Sequence, residues 1–284
     1  MSSSSSPYTV PEGRTVPEPI LHILAVVHRV ATEQECPHVV VGATARDLLL
    51  FHVFGIPASR ATRDVDFAIA VESWDKFHRM RNALLATEEF VPSKVEHRLF
   101  FRATDIPIDL IPFGGVAEDD TITWPPEKDT VMTVAGFEDA MAASIQVQVS
   151  TNLTVPVVSL AALAILKIFA WEDRKTTDKD ALDLYRVIST YTDAGNEDRL
   201  YDPGSPHMEK FNYDPESAGA ALAGEDSRML SSAATVTKLR TLLATADFID
   251  TLAERIRTSR WPFQPEKLPH VRAVLVAYFD ELLK

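Results

Sequence analysis

The segment TRDVDF, residues 62–67, decides how the first half of the chain is interpreted. Asp64 and Asp66 are two residues apart, and the alternating, β-branched residues that follow predict a strand over residues 65–71. Side chains two residues apart on a strand point to the same face, so we expect both carboxylates to lie together. Two like charges this close repel one another unless a cation lies between them. Oxygen ligands at this spacing suit Mg²⁺.

The acidic pair alone has a second interpretation as solvated surface charge. The chain contains 41 acidic and 28 basic residues, a net charge of −13, so two acids at this spacing also occur by chance. Asp109 favours the metal interpretation, because it lies within the apolar run at residues 106–111 and an acid there needs a partner. A metal-binding pair with a third acid on a neighbouring strand is the layout that in-line phosphoryl transfer requires. The other interpretation of Asp109 is an edge-strand residue that faces solvent.

A glycine turn precedes the acidic pair along the chain. Residues 37–42 predict a short buried strand that ends at Gly42, and residues 44–54 predict a helix. Backbone amides at the start of such a helix favour a phosphate, to which the Thr44 hydroxyl can add a hydrogen bond. Glycine at this turn would let the phosphate approach the backbone closely. The alternative role of Thr44 is a helix cap.

Hydrophobic periodicity divides the chain into a mixed α/β part and a helical part. The first part has predicted helices at 17–34, 44–54 and 74–85, and predicted strands at 37–42, 65–71, 99–103, 106–112, 144–150 and 153–157. The second part has predicted helices at 159–171, 177–190, 232–259 and 268–283, with a long connection over residues 194–215. We therefore predict an α+β fold with a disordered tail (1–15), a mixed-sheet domain (16–156) and a helical domain (157–284).

Composition restricts the class of protein. Hydrophobic residues make up 46% of the chain and charged residues 24%, which is typical of a globular protein. We expect no membrane partner, because no apolar run approaches the roughly 20 residues that span a bilayer. The single cysteine, Cys36, fits a reducing cytoplasm. The negative net charge opposes long-range attraction to a polyanion, so a nucleic acid would have to be held by local contacts.

The combined motifs resemble the polymerase-β nucleotidyltransferase superfamily. Residues 42–49 (GATARDLL) and 63–67 (RDVDF) are similar to the glycine-turn and Asp-x-Asp elements in the head of CCA-adding enzymes. The later segments resemble the AbiE-type toxin nucleotidyltransferases of bacterial toxin–antitoxin systems; they are IDLI (108–111), VVSL (157–160), Lys167, DR (173–174) and KDALDL (179–184). The chain departs from the superfamily at Ala43, where a second glycine or a serine is usual.

The resemblance implies a nucleotidyltransferase fold and a specific set of site residues. The implied reaction transfers a nucleoside monophosphate from an NTP to a hydroxyl and releases pyrophosphate. Asp64, Asp66 and Asp109 would hold Mg²⁺ or Mn²⁺, with acceptance of the hydroxyl proton as the other role for Asp109. The predicted nucleotide-binding residues are Gly42, Ala43, Thr44, Arg46, Lys167 and Arg174.

The basic residues of the second half have structural alternatives. Lys167 and Arg174 are seven residues apart, so on a continuous helix they share one face. Lys167 could instead extend along the apolar helix surface to solvent. Asp180 is interpreted as a structural partner of the neighbouring lysine, and the resemblance implies a place lining the site as the alternative. A small basic group in the first half is assigned to a solvated strand edge, with an acceptor RNA as the alternative; it consists of Lys94, His97, Arg98 and Arg102.

The sequence does not determine which molecule accepts the nucleoside monophosphate. The resemblance implies the 3′ end of tRNA as acceptor, growth arrest as the effect and an antitoxin as partner. The alternatives are a small molecule of the aminoglycoside type, a protein hydroxyl, or a catalytically silent relative that only binds a nucleotide or a partner. The carboxylate triad argues against a silent relative, because unneeded buried acids lower stability.

Overall fold

The computed structural model describes residues 8–57, 64–124, 131–174, 177–245 and 247–284. The chain divides into two units, residues 1–159 and residues 160–284. The domain boundary placed after residue 156 in the sequence falls inside a paired strand, Leu153–Val157.

A mixed sheet forms the centre of the first unit. Its strands are β1 (Tyr8–Thr9), β2 (His38–Val41), β3 (Val65–Val71), β4 (Phe90–Pro92), β5 (Arg98–Phe101), β6 (Ile106–Gly114), β7 (Thr121–Thr123), β8 (Val131–Thr133), β9 (Ile145–Ser150) and β10 (Leu153–Val157). Eight strands form one sheet in the order β1-β9-β10-β2-β3-β6-β5-β4, and β7 pairs with β8 separately. The helices are α1 (Glu18–Glu33), α2 (Gly42–Asp47), α3 (Trp74–Ala86) and α4 (Phe137–Ala142), and α2 continues as a π-helical stretch over Leu48–Val53.

Strand β3 lies in the interior of the sheet. It pairs antiparallel with β2 and parallel with β6. Val65, Phe67 and Ile69 are buried, as the apolar alternation predicts, whereas Asp66 between them is partly accessible. The strand therefore anchors its apolar side chains in the core and carries a carboxylate on its other face.

Residues 8–15 are ordered, in contrast to the predicted disordered tail over residues 1–15. β1 pairs in parallel with β9. The Arg14 guanidinium donates hydrogen bonds to the carbonyl oxygens of His52 (3.1 Å) and Val53 (2.7 Å). Each of these contacts has a backbone group as a partner, which side-chain composition does not reveal. The seven residues before β1 lie outside the described part of the chain.

The described residues of the second unit form an all-helical arrangement. Its helices are α5 (Leu160–Asp173), α6 (Lys179–Ser189), α7 (Glu197–Leu200), α8 (His207–Lys210), α9 (Pro215–Leu230), α10 (Ala233–Leu243), α11 (Phe248–Arg260) and α12 (Leu268–Leu282). Among the helices of the described residues, none combines the length and apolar character that crossing a membrane requires.

Helix α9 was missed by the sequence prediction, and α10 and α11 were predicted as one helix. The buried face of α9 consists mainly of alanine and glycine, so it lacks the strong apolar contrast that marks an amphipathic helix. The Asp214 carboxylate caps α9 by accepting a hydrogen bond from the Ser217 amide (3.2 Å). Asp247 has a left-handed φ of 65° and begins α11, which interrupts the predicted helix over residues 232–259.

Helices α9 and α12 pack against each other through a glycine. A Cβ at Gly224 would collide with the Tyr278 carbonyl oxygen. Close by, the Tyr278 hydroxyl donates a hydrogen bond to Ser227 Oγ (3.0 Å), and both side chains are fully buried. The approach of the two backbones therefore depends on the absence of a side chain at residue 224.

We expect Gly224→Ala to lower the free energy of unfolding by about 1–2 kcal/mol. Overpacking a close contact costs about 1–3 kcal/mol, and alanine recovers up to about 1 kcal/mol through its helix propensity. Urea denaturation of the full chain measures the change. Gly13→Ala is the matched control, because a Cβ at Gly13 meets no atom within 4 Å. Equal stability of the two variants would contradict this packing.

Candidate active site

Three carboxylates meet near the first residues of β3. Asp66 on β3 and Asp109 on β6 are register partners in the parallel pair, so their side chains lie next to each other on one face. Asp64 directly precedes β3. One oxygen of each carboxylate lies within 4.8 Å of the others, and all three residues are partly exposed. The structure thus brings together the three acids singled out in the sequence, while residues 62–63 of the motif lie outside the described residues.

The carboxylate triad fits a divalent cation. Carboxylate oxygens are the hard ligands that Mg²⁺ and Mn²⁺ prefer, and three negative charges at this separation favour a cation among them. Gly42 contributes to this geometry through the absence of a side chain. Its φ is 68°, and a Cβ there would collide with Asp66 Oδ2. Gly42 therefore makes room for a carboxylate of the site, a role that its sequence context did not indicate.

Arg98 faces the triad from the neighbouring strand β5. It is the register partner of Asp109. Arg98 Nε donates a hydrogen bond to Asp109 Oδ1 (2.7 Å) and Nη2 donates one to Oδ2 (2.6 Å), which is a bidentate pair. The hydrogen bond to Asp109 raises the pKa of Arg98 above its ordinary value despite partial desolvation, and the charges of Asp64 and Asp66 raise it further. Arg98 is therefore a fully charged component of the site.

The assignment of Arg98 to a solvated strand edge is wrong, because β5 pairs with a strand on each side. The strands predicted over residues 99–103 and 106–112 leave a two-residue turn at residues 104–105. Such a turn would pair Phe100 with Asp109, whereas the observed register pairs Arg98 with Asp109. The turn is longer, because β5 ends at Phe101. The sequence did contain one indication of this pair, since Arg98 and Asp109 flank the turn between two consecutive predicted strands.

The remaining residues of the glycine turn serve the protein interior in this structure. The Thr44 hydroxyl donates a hydrogen bond to the Asp64 carbonyl oxygen (2.8 Å), and its single proton cannot also bond a phosphate. Thr44 therefore positions Asp64. Ala43 is buried, and the fully buried Arg46 donates from Nε (2.9 Å) and Nη2 (2.6 Å) to Asp47 Oδ1. These side chains thus face the protein interior, and nucleotide binding by Ala43, Thr44 and Arg46 stays a prediction.

Lys167 in the second unit is buried between two aspartates. Its Nζ lies 2.8 Å from Asp180 Oδ1 and 2.8 Å from Asp183 Oδ2. Desolvation lowers the pKa of the Lys167 ammonium, but the charges of Asp183 and Asp180 raise it more, so the pKa lies above its ordinary value. Lys167 does not extend to solvent, so that alternative is wrong.

Arg174 contacts the same cluster from a more exposed position. Its Nη2 lies 2.9 Å from Asp180 Oδ2, and 56% of its side chain is accessible. Asp180 therefore pairs with Lys167 and Arg174, whereas the sequence analysis paired it with the adjacent lysine. The two cations predicted to bind the triphosphate share a carboxylate in this structure.

A family model matches more than half of the chain. It is described as the nucleotidyl transferase AbiEii toxin of a type IV toxin–antitoxin system, and it matches residues 25–202. The matched segment includes all three carboxylates of the triad and the cluster around Lys167. No curated protein sequence matches the chain significantly.

Several solved structures are similar to parts of the chain. The antibiotic-resistance factor ANT(2'')-Ia is 13% identical, with 70% of this chain and 99% of that chain covered and a TM-score of 0.39. An antigenic nucleotidyltransferase-like protein from Paracoccidioides brasiliensis is 15% identical, with coverages of 84% and 93% and a TM-score of 0.43. The Thermotoga maritima CCA-adding enzyme complexed with tRNA is 13% identical, with coverages of 95% and 82% and a TM-score of 0.26. At TM-scores this low, the likeness carries no argument about substrate.

We expect Gly42→Ala to weaken Mn²⁺ binding by at least about tenfold, because the new Cβ displaces Asp66, and disturbing the support of a ligand has effects of this size. Gly55→Ala is the matched control. Gly55 also has a positive φ (77°), and a Cβ there would collide with the end of the Arg14 side chain. Both variants carry backbone strain, but only one disturbs the triad. Calorimetric titration with Mn²⁺ compares them, and equal Mn²⁺ affinities would contradict the role of Gly42.

We expect Lys167→Met to lower the free energy of unfolding by about 3 kcal/mol or more, because it leaves two buried carboxylates without their cation. Arg174→Met removes the exposed partner of Asp180 and should cost less than about 1 kcal/mol. Adding Asp180→Asn and Asp183→Asn to Lys167→Met should restore part of the loss. Urea denaturation measures all three proteins. Equally small losses in both single variants would show that the buried cluster does not stabilise the unit.

Proposed function

The chain belongs to the AbiEii family of nucleotidyltransferase toxins, and we propose that it transfers a nucleoside monophosphate from an NTP to the 3′ end of tRNA, with pyrophosphate as the leaving group. The observation that carries the transfer reaction is the meeting of Asp64, Asp66 and Asp109 within 4.8 Å. The tRNA acceptor rests on the likeness of residues 42–49 and 63–67 to motifs of CCA-adding enzymes.

The residues of the triad have different roles in this proposal. Asp64 and Asp66 hold a divalent cation, which when bound polarises the phosphoryl group and neutralises the charge that develops on the leaving group. Thr44 fixes the backbone at Asp64, and Gly42 leaves the space for the Asp66 carboxylate. Asp109 lies beside Asp66 and either completes the cation site or accepts the proton of the attacking hydroxyl.

The charge of the protein limits how an RNA acceptor is held. With a net charge of −13, the chain attracts no polyanion at long range, so the tRNA end is gripped by local contacts. A Mg²⁺–NTP complex carries its own cation and remains compatible with this charge. The proposed setting is the cytoplasm, where an antitoxin protein restrains the activity.

A small cationic acceptor is the second candidate. The same net charge favours binding of a polyamine-like molecule such as an aminoglycoside. This candidate keeps the triad and its chemistry and changes only the hydroxyl that is modified.

Labelling with each α-labelled NTP in the presence of Mg²⁺ tests the proposal. The acceptors are total tRNA, a protein extract and aminoglycosides, in separate reactions. We expect label in tRNA. Label only in aminoglycosides or in protein would replace the tRNA acceptor, and no label with any acceptor, together with no binding of Mg²⁺–NTP, would overturn the transferase function.

We expect Asp66→Asn to reduce labelling by at least about 100-fold, as removal of a group that stabilises transition-state charge does. Asp105→Asn is the matched control. Asp105 is an exposed acid in the turn after β5 with a φ of 57°, a conformation that asparagine accepts. It should label at the rate of the unaltered protein. An equal loss of labelling in Asp66→Asn and Asp105→Asn would contradict a specific role of Asp66.

A further inference from the structure

Both oxygens of one triad carboxylate are engaged by an arginine. Arg98 uses two nitrogens of its planar guanidinium, at 2.7 and 2.6 Å, to hold Asp109. A divalent cation needs an oxygen of the same carboxylate to complete a three-ligand site. The guanidinium and the cation are both positive, so each weakens the hold of the other on Asp109.

The backbone around this pair is held by strand pairing, whereas the arginine side chain is partly exposed to solvent. Strand β5 pairs with β4 on one side and with β6 on the other. The Arg98 side chain is 36% accessible, whereas the Asp109 side chain is 13% accessible. Release of Asp109 therefore requires rotation of the arginine side chain into solvent and no rearrangement of the sheet.

We propose that Arg98 is a positioning residue that makes loading of the cation site stepwise: Asp64 and Asp66 bind the first cation, and Asp109 joins only when a further cation displaces Arg98. The proposal rests on the cation site of the proposed function. Before the cations bind, the Arg98 guanidinium pairs with Asp109 and neutralises part of the negative charge of the triad. It also explains why an arginine lies opposite Asp109 on the neighbouring strand.

Titration with Mn²⁺ in the absence of nucleotide tests this competition. Electron paramagnetic resonance of free Mn²⁺ gives the number of bound ions and their affinities. We expect Arg98→Gln to tighten the weaker Mn²⁺ site by about tenfold or more, because the charge-assisted bonds that compete with the ion are gone. Arg102→Gln is the control for loss of one positive charge nearby, since Arg102 donates to the Glu88 carbonyl oxygen and does not contact the triad.

The double variant with Asp109→Asn separates direct competition from a general electrostatic effect. If Arg98 acts through Asp109, Arg98→Gln changes Mn²⁺ affinity by less than about threefold in the Asp109→Asn background, because the coupled partner is absent. If Arg98→Gln raises the Mn²⁺ affinity equally with Asp109 present and with Asp109→Asn, the proposal is overturned. The effect of Arg98 would then be general electrostatic repulsion of the ion. Unchanged or weaker binding in Arg98→Gln would also overturn it, since Arg98 would then support the cation site.

Two further measurements keep the outcomes distinct. Arg98→Lys retains the charge but cannot form the bidentate pair with Asp109, so it should also tighten the weaker Mn²⁺ site. It replaces Arg98→Gln if that variant does not fold. Absence of Mn²⁺ binding in every variant would overturn the proposal. The labelling reaction with NTP tests the transferase function independently. Tightening by Arg98→Gln, with no label in any acceptor and no binding of Mg²⁺–NTP, would leave the competition standing and overturn the transferase function.

Discussion

The parallel register between β3 and β6 is the constraint on which the candidate site depends. It places Asp66 beside Asp109, so that two carboxylates from segments far apart in sequence share one face of the sheet. Asp64 adds the third charge just before β3 begins, and the oxygens of all three come within 4.8 Å. A shift of one residue in this register would turn one acid to the opposite face. The burial of Val65 and Phe67 opposes such a shift, because it would expose apolar side chains.

The neighbours of the triad are arranged around its charge. Gly42 leaves the space for the Asp66 carboxylate, and the Thr44 hydroxyl holds the backbone of Asp64. Arg98 pairs with Asp109 through two hydrogen bonds. The glycine turn thus supports two acids of the site. The same repulsion that makes three adjacent acids unfavourable favours a cation among their oxygens.

The sequence predicted the local features of the fold and the site better than their long-range pairing. The spacing of Asp64 and Asp66 and the apolar run around Asp109 marked the three acids, and strand geometry explains why Asp66 and Asp109 share a face. Their meeting depends on the pairing of β3 with β6 and on the position of Asp64 just before β3. Arg98 was missed, since its position opposite Asp109 depends on the length of a turn. The partners of Lys167 depend on how α5 packs against α6, and α9 was missed because small residues give little apolar contrast. The assignment of the chain to nucleotidyltransferases came from the combined motifs, each of which is uninformative alone.

Anomalous diffraction from a crystal of the protein soaked with Mn²⁺ and a non-hydrolysable NTP tests the central claim most directly, because it locates the cation among the side chains. We predict a manganese peak about 2 Å from carboxylate oxygens of Asp64 and Asp66, with the triphosphate of the nucleotide on the same ion. A nucleotide bound elsewhere on the protein, with no manganese at the triad, would contradict the account.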